Sequence, residues 1–317
     1  PPPPLRGRGG VGAPAPAVNI VAFLGAIEIG LVFGLVGLGV FLSFRVLNFP
    51  DLTVDGSFPL GAAVAATLIV QDVDPFLASA VAVVAGAAAG LVTAFLNLRF
   101  KILHLLASIL TMIALYSINL RVMGRPNVAI INEPTVLTPF AGLGLAELYL
   151  RPAAAAAIAA VALLLLARFL ASDYGLAMRA TGANPRMARA QGVFTARATY
   201  VGMAISNGLV ALAGALFAQM NGFADVTIGT GTIVVGLAAV IVGEAIFGTR
   251  TVLGHAAACV VGSVLYRLAV AFALGVDFLG LTASDLNLVT AVLVAVALIL
   301  PGARNPLRAL FSGLAKR

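Results

Sequence analysis

Chemically active side chains are concentrated in one polar stretch, residues 173–193, which separates two long apolar runs. Asn184 and Pro185 suit the cap and the first position of a helix, and Gly192 suits a left-handed helix end. We therefore predict a helix of about two turns between these residues, outside the apolar layer. Such a helix is suited to dock into a partner, and the alternative is a solvated loop between two spans. The stretch contains three arginines: Arg179, Arg186 and Arg189.

A second polar segment, residues 45–57, also lies between apolar runs. Its backbone is interrupted by Pro and Gly and cannot face lipid, because its N–H and C=O groups would lack partners. The segment therefore lies at a surface or against a cavity enclosed by protein. Glu244 is a carboxylate deep in another apolar run, and such a group is costly in a membrane unless it is functional or faces the interior. The simpler interpretation is that polar residues at these places stabilise breaks in helices.

Membrane-spanning helices must position both segments. Hydrophobic residues make up 61% of the 317-residue chain and charged residues 10%, and the mean hydropathy is +1.09. This composition predicts an all-α, polytopic integral membrane protein. The apolar runs indicate about 8–9 transmembrane helices, some of them interrupted or re-entrant. We expect a disordered tail at residues 1–18, a transmembrane domain at 19–302 and a basic cytoplasmic tail at 303–317.

The charge distribution favours one orientation in the membrane. The net charge of +7 comes from basic residues gathered in short loops, which is typical of the positive-inside rule and excludes a nucleic-acid partner. A cytoplasmic 173–193 stretch places most Lys and Arg residues, and the C-terminus, in the cytoplasm. An odd number of crossings would put the N-terminus outside and an even number inside, and both remain open.

The sequence lacks groups that several enzyme classes need. It contains no Gly-x-x-x-x-Gly-Lys-[Ser/Thr] loop to hold phosphates. The two histidines, His104 and His255, lie far apart without further ligands at suitable spacing, and the single cysteine, Cys259, lies in an apolar run. We expect no metal, hydrolase or ATP site in this chain, so energy for any transport must come from another subunit or an ion gradient.

Four sequence blocks resemble one known family. Gly-Leu-Ala-Met-Arg-Ala-Thr-Gly-Ala-Asn-Pro-Arg-Met-Ala-Arg-Ala-Gln-Gly-Val, residues 175–193, resembles the coupling loop of ABC importer permeases of the branched-chain amino acid and ribose type. Gly-Leu-Val-Gly-Leu-Gly at 34–39, continuing to the 45–57 segment, resembles the first block of that family. Residues 236–262 and Leu-Pro-Gly-Ala-Arg at 300–304 resemble later blocks. The sequence of the 45–57 segment is most similar to that of a subgroup of the family that transports amino acids, including aromatic ones.

The resemblance implies a division of labour. A separate ABC ATPase subunit would bind ATP and dock on the 173–193 loop, so this chain would carry no cofactor. Further implied partners are an extracytoplasmic substrate-binding protein and a second copy or a similar permease subunit, in the lipid of a bacterial inner membrane. The implied coupling residues are Arg179, Gly182, Asn184, Pro185, Arg186, Arg189 and Gly192. The implied translocation-path residues are Asn48, Asp51, Thr53, Asp55, Ser57 and Glu244.

Two other functions fit parts of the sequence. An ion-coupled secondary transporter would use Glu28, Asp51, Asp55 and Glu244 as proton or sodium sites, which accounts for the broken spans. It does not account for a docking helix. A structural membrane subunit without a pathway would tolerate neutral substitution at these acids.

Overall fold

The structure is a computed structural model that describes residues 20–143, 147–247, 251–275, 291, 292 and 295. Helices occupy most of these residues and give an all-α membrane-protein fold. The helices are α1 (Ile20–Val40), α2 (Val54–Val70), α3 (Pro75–Phe100), α4 (His104–Met123), α5 (Glu147–Ala171), α6 (Asp173–Ala183), α7 (Pro185–Ala190), α8 (Thr195–Asn221), α9 (Thr232–Phe247) and α10 (Val252–Gly275). A π-helical turn, Phe41–Val46, continues α1, and a 3-10 helix covers Thr138–Leu143.

Six of the described helices are long and apolar enough to cross a membrane. They are Ile20–Val46, Pro75–Phe100, His104–Met123, Leu148–Ala171, Thr195–Asn221 and Val252–Ala273. The predicted polytopic all-α class is therefore confirmed for the described part of the chain. Most of the chain after residue 275 lies outside the described residues, as do the predicted tails at 1–18 and 303–317. The number of crossings therefore stays a prediction.

The bundle has two distinct ends. One carries α6 and α7. The other carries a two-stranded antiparallel ribbon, β1 (Asn127–Ala129) and β2 (Phe223–Asp225). Helix α8 runs from the α7 end to the ribbon end and packs closely on α2, because a Cβ on Gly61 would overlap the carbonyl oxygen of Ala211. Small residues permit this backbone approach, as in many membrane-helix interfaces.

Helices α2 and α9 are short and begin inside the bundle. They contain 17 and 16 residues, which corresponds to about 25 Å each and falls short of a full crossing. Ser57 at the start of α2 is bonded to Asn207 near the middle of α8, while α9 starts beside Asp55 and brings Glu244 to Arg45 near the α6–α7 end. The two helices thus start close together and run towards opposite ends.

Candidate functional site

The link between α1 and α2 is mostly buried, although Asn48 is exposed. Helix α1 ends in the π-helical turn, and Asn48 has a left-handed φ of 51°. Pro50 cannot donate a backbone hydrogen bond and disfavours helix at the residue before it. Leu47 and Phe49 are buried. The segment is therefore an interrupted one within the bundle, as predicted, and we call residues 47–53 the break.

A buried polar network fixes the break to the neighbouring helices. The Oδ1 atom of Asp51 accepts the N–H of Thr53 at 2.9 Å, and its Oδ2 atom accepts the amide of Asn207 at 2.8 Å. The Ser57 hydroxyl donates to Asn207 Oδ1 at 2.7 Å, and the hydroxyls of Thr53 and Thr93 lie 2.7 Å apart. All five side chains are completely buried. The network joins the start of α2 to α3 and α8, and its polar groups are paired within the protein.

Asp55 caps a helix other than its own. Its carboxylate accepts the backbone N–H groups of Gly231 at 3.2 Å and Ile233 at 2.7 Å, at the start of α9. The first N–H groups of a helix lack partners within it, and the positive end of the helix favours an anion. Asp55 therefore holds the starts of α2 and α9 together.

Glu244 joins three elements at the end of α9. Arg45 on the π-helical turn donates hydrogen bonds to the Glu244 carboxylate. Its Nε atom lies 3.0 and 3.1 Å from the two carboxylate oxygens, and its Nη2 atom donates to Oε2. The His255 Nδ1 atom of α10 lies 3.6 Å from Glu244 Oε1. A two-pronged arginine–carboxylate contact of this kind is geometrically specific. It links α1, α9 and α10 near the α6–α7 end.

A cavity of about 760 Å³ opens beside this ion pair. We call it the basal cavity. Arg45 and Glu244 line it together with Asn48, His255 and Arg179 of α6. Phe41 and Phe44 provide part of its apolar wall. Two predicted path residues, Asn48 and Glu244, and two predicted coupling residues, Arg179 and Gly182, thus share one cavity. The other four predicted path residues contribute to the buried network or to the cap of α9.

The predicted helix at 184–192 is present as α7. The Asn184 side chain accepts the N–H groups of Arg186 and Met187, each at 3.1 Å, and Gly192 has a left-handed φ of 82°. Pro185 is the first residue of α7. Arg186 and Arg189 are exposed, so α7 presents two cations to its surroundings.

Helix α6 connects this exposed helix to the break. Gly182 lies so close to the π-helical turn that a Cβ on it would overlap the carbonyl oxygen of Val46. A Cβ on Gly202 of α8 would meet the side chain of Leu47. Because α6 and α7 share Asn184 as a cap, the exposed helix is joined through α6 to the start of the break.

The ribbon end is held by its own polar contacts. Gln219 of α8 accepts the N–H of Val136 at 3.0 Å and donates to Ser79 at 2.9 Å. Asp225 accepts the N–H and the hydroxyl of Thr227 at 2.7 and 2.6 Å, and Asn127 donates to it at 3.3 Å. These hydrogen bonds, chiefly the one from the Thr227 hydroxyl, hold the pKa of Asp225 below its usual range.

Sequence reasoning missed three partners of the predicted residues: Asn207, Arg45 and Thr93. Asn207 is an amide in the middle of an apolar span, and that unusual position is a signal that was available in the sequence. Arg45 belongs to the polar 45–57 segment, and its pairing with Glu244 spans 199 residues of sequence. Thr93 has no such signal, because a threonine in an apolar helix commonly bonds its own backbone, as this one also does to Ala89.

The fold and these sites define a multi-pass α-helical membrane protein whose helices break inside the bundle and whose one end carries an exposed helix. The family model described as "Branched-chain amino acid transport system / permease component" matches residues 16–301, and the chain belongs to that family. The resemblance drawn from the sequence blocks is thereby confirmed. The chain is a membrane-spanning transport subunit of the ABC permease type rather than an enzyme.

Two relatives cover most of the chain. A "Tyrosine transport system permease protein" from Clostridioides difficile (strain R20291) is 36% identical over 268 residues, which is 83% of this chain and 86% of that protein. An uncharacterized protein from Rickettsia prowazekii (strain Madrid E) is 36% identical over 258 residues, 80% of this chain and 89% of that protein. A solved structure, "PsaBC from Streptococcus pneumoniae in complex with Fab", aligns at a TM-score of 0.49 and 17% identity over 87% of this chain and 89% of that chain.

Proposed function

We propose that this chain is the permease subunit of an ABC importer that moves an amino acid across a bacterial inner membrane, driven by a separate ATPase subunit that docks on α7. The observation that carries the proposal is the exposed, capped helix α7, with Arg186 and Arg189 on its surface and Ala188 buried against the bundle. Exposed cations on a rigid helix are suited to an acidic groove on a partner.

The contact between α6 and the break gives docking a route to the membrane helices. ATPase closure would shift α7 and α6 together, and Gly182 would pass that shift to Val46 at the end of the π-helical turn. The break is the point where α1 ends and the shorter α2 begins, so a shift there reorients α2 against α8. We infer that this movement switches access between the two sides of the membrane.

The family and a relative support an amino acid as the substrate class. The chain belongs to a family described by branched-chain amino acid transport, and one relative is described by tyrosine transport. An amino acid is therefore the proposed solute, received from an extracytoplasmic binding protein by two permease subunits, either identical or similar. In this arrangement the C-terminus and α7 lie in the cytoplasm.

The positions of the carboxylates give little support to the ion-coupled alternative. Asp51, Asp55 and Glu244 have separate surroundings: a buried amide network, a helix N-terminus and an arginine. Groups of three or more His, Cys, Asp or Glu residues able to hold a metal ion are absent from the described residues.

Co-purification tests the docking proposal. The tagged chain is isolated in mild detergent from its native membrane, as wild type and as an Arg186→Glu/Arg189→Glu variant. We expect an ATPase subunit to accompany wild type and to be lost from the variant. The matched control is Arg121→Glu/Arg125→Glu, two exposed arginines near the ribbon end, which should retain the ATPase. Equal recovery with both variants, or uptake by the lone chain along an ion gradient, would refute the proposal.

A further inference from the structure

The described residues that line the basal cavity include two arginines but a single carboxylate. Among the described residues that line it, Arg45 and Arg179 face a single carboxylate, Glu244, which Arg45 already grips. The Nε atom of Arg179 is buried and has no hydrogen-bond partner among the described residues. A buried guanidinium N–H without an acceptor is costly, and native structures seldom leave one unpaired. Arg179, a cation that lines the cavity, therefore has unused hydrogen-bonding capacity, which favours an anionic ligand there.

The position of Arg179 separates it from the docking helix. Arg186 and Arg189 are exposed on α7, whereas Arg179 is partly buried on α6 and lines the cavity. Gly182, three residues further along α6, is held against the π-helical turn. The Nε atom of Arg179 is buried, unlike the exposed side chains of Arg186 and Arg189. A small ligand inside the cavity fits this geometry better than a protein side chain from outside.

The remaining lining indicates what the ligand looks like. A volume of about 760 Å³ lies in the range of small-molecule sites. Phe41 and Phe44 offer an aromatic wall. Glu244 is accessible over 16% of its side chain, and a carboxylate can accept up to about four hydrogen bonds, so it has capacity beyond the contact with Arg45. The cavity therefore combines a cation, a hydrogen-bond-accepting carboxylate and an apolar surface.

We propose that the basal cavity is a binding site for a free α-amino acid with a large apolar or aromatic side chain, at the end of the path opposite the ribbon. Arg179 binds the α-carboxylate, Glu244 accepts hydrogen bonds from the α-ammonium group, and Phe41 and Phe44 pack against the side chain. The site rests on the proposed function for its solute class, and it makes Arg179 a ligand-binding residue instead of an ATPase contact.

Equilibrium binding of radiolabelled L-tyrosine tests the site. The probe is added to the permease–ATPase complex in lipid nanodiscs, without ATP and without binding protein. We expect Arg179→Gln to weaken binding by about tenfold or more, the loss of one charge-assisted contact, and Arg179→Lys to restore part of it. Arg168→Gln is the matched control, since Arg168 is an exposed arginine on α5 outside the cavity lining, and it should bind as wild type.

Competition by two analogues of L-tyrosine tests which protein group binds each polar end of the ligand. Tyramine lacks the carboxylate and 3-(4-hydroxyphenyl)propionate lacks the ammonium group, so both should compete poorly in wild type. In Glu244→Gln the affinity of the propionate relative to that of L-tyrosine should increase. Of the two polar ends of L-tyrosine, only the ammonium group contacts Glu244 in the proposed site, and the propionate lacks that group. If Arg179→Gln fails to fold, the competition measured in Glu244→Gln still tests the proposed site.

Three results would overturn the site. The first is wild-type affinity in Arg179→Gln, and the second is competition by tyramine equal to that of L-tyrosine. The third is loss of the ATPase from Arg179→Gln, which would make Arg179 a docking residue. ATP-driven uptake of L-tyrosine and L-leucine by the complete importer tests the solute class separately. Uptake without Arg179-dependent binding removes only this site, whereas absence of uptake for both removes the amino-acid assignment and the site with it.

Discussion

The two ends of the break differ in how their polar groups are satisfied. In the buried network, Asp51 and Asn207 pair with each other and with their neighbours and are completely inaccessible. At the basal cavity, 59% of the Arg45 side chain and 16% of the Glu244 side chain remain accessible. Arg179 has a buried N–H without a partner among the described residues. Both regions contain residues predicted to line a translocation path. The cavity lies beside Glu244 and Asn48, whereas the residues of the buried network are inaccessible.

This difference teaches which polar residues position helices and which are available for function. A network whose donors and acceptors are all matched stabilises one arrangement, and removal of a member leaves the others unpaired. Charged side chains that line a cavity and are not all paired can exchange hydrogen-bond partners at little cost in free energy. We therefore propose that Asp51, Thr53 and Ser57 stabilise the architecture of the break, whereas Glu244 and Arg179 take part in transport.

The largest expected effect is on the architecture. Asp51→Ala leaves the amide of Asn207 and the N–H of Thr53 without their acceptor in a fully buried place. We expect a loss of about 3 kcal/mol or more in the free energy of unfolding, measured by thermal unfolding of the purified chain in detergent. Asp72→Asn, an exposed acid in a turn, is the control. An Asp51→Ala protein as stable as wild type would remove the contrast between the regions.

A second effect concerns the contact that joins them. In Gly182→Ala the added methyl overlaps the Val46 carbonyl oxygen, so α6 must move away from the break. We expect a destabilisation of about 1–3 kcal/mol and a loss of ATP-driven uptake even where the ATPase still binds. Gly25→Ala is the control, because nothing lies within 4 Å of a Cβ there. Normal uptake in folded Gly182→Ala would show that α6 does not carry the coupling.

Glu244→Gln should separate stability from transport. Arg45 is largely exposed, so the ion pair contributes only about 0–1 kcal/mol to stability, and the variant should unfold close to wild type. Its uptake should nevertheless fall, whereas folded Asp51→Asn should lose stability first. A double-mutant cycle with Arg45→Gln measures the coupling between the two side chains. Full uptake by Glu244→Gln would exclude the carboxylate from the operation of the cavity.

The smallest effect is a pH dependence at the ribbon end. The pKa of Asp225 is lowered by its bonds to Thr227 and Asn127, so its ionised form is favoured in the folded state. Its contribution is present above the unfolded pKa of about 3.9 and is lost as the pH falls through the lower folded value. The protection factors for amide hydrogen exchange in 125–130 and 222–227, corrected for the intrinsic exchange rate at each pH, should therefore fall below about pH 4 in wild type. An Asp225→Asn variant should lack this fall, and a fall of equal size in it would assign the effect to another group.

Local features of the fold could be predicted from the sequence. Helix α7 was predicted because Asn184, Pro185 and Gly192 act within a few residues of one another, and the membrane class followed from composition. Partners distant in the sequence could not be predicted, since Asp51 meets Asn207 across 156 residues. Nor does the length of α9 indicate that it starts beside Asp55, because that position depends on how α2 and α9 pack.

Cross-linking from α7 tests the central claim most directly. Met187 lies between the two exposed arginines and is 57% accessible, whereas the native Cys259 is buried. A photoreactive thiol reagent on Met187→Cys, in a Cys259→Ser background, should form an adduct with the co-purified ATPase, and the same reagent on Ile131→Cys near the ribbon end should not. An intact complex that gives no adduct from α7, or gives one from residue 131 instead, would contradict docking on this helix.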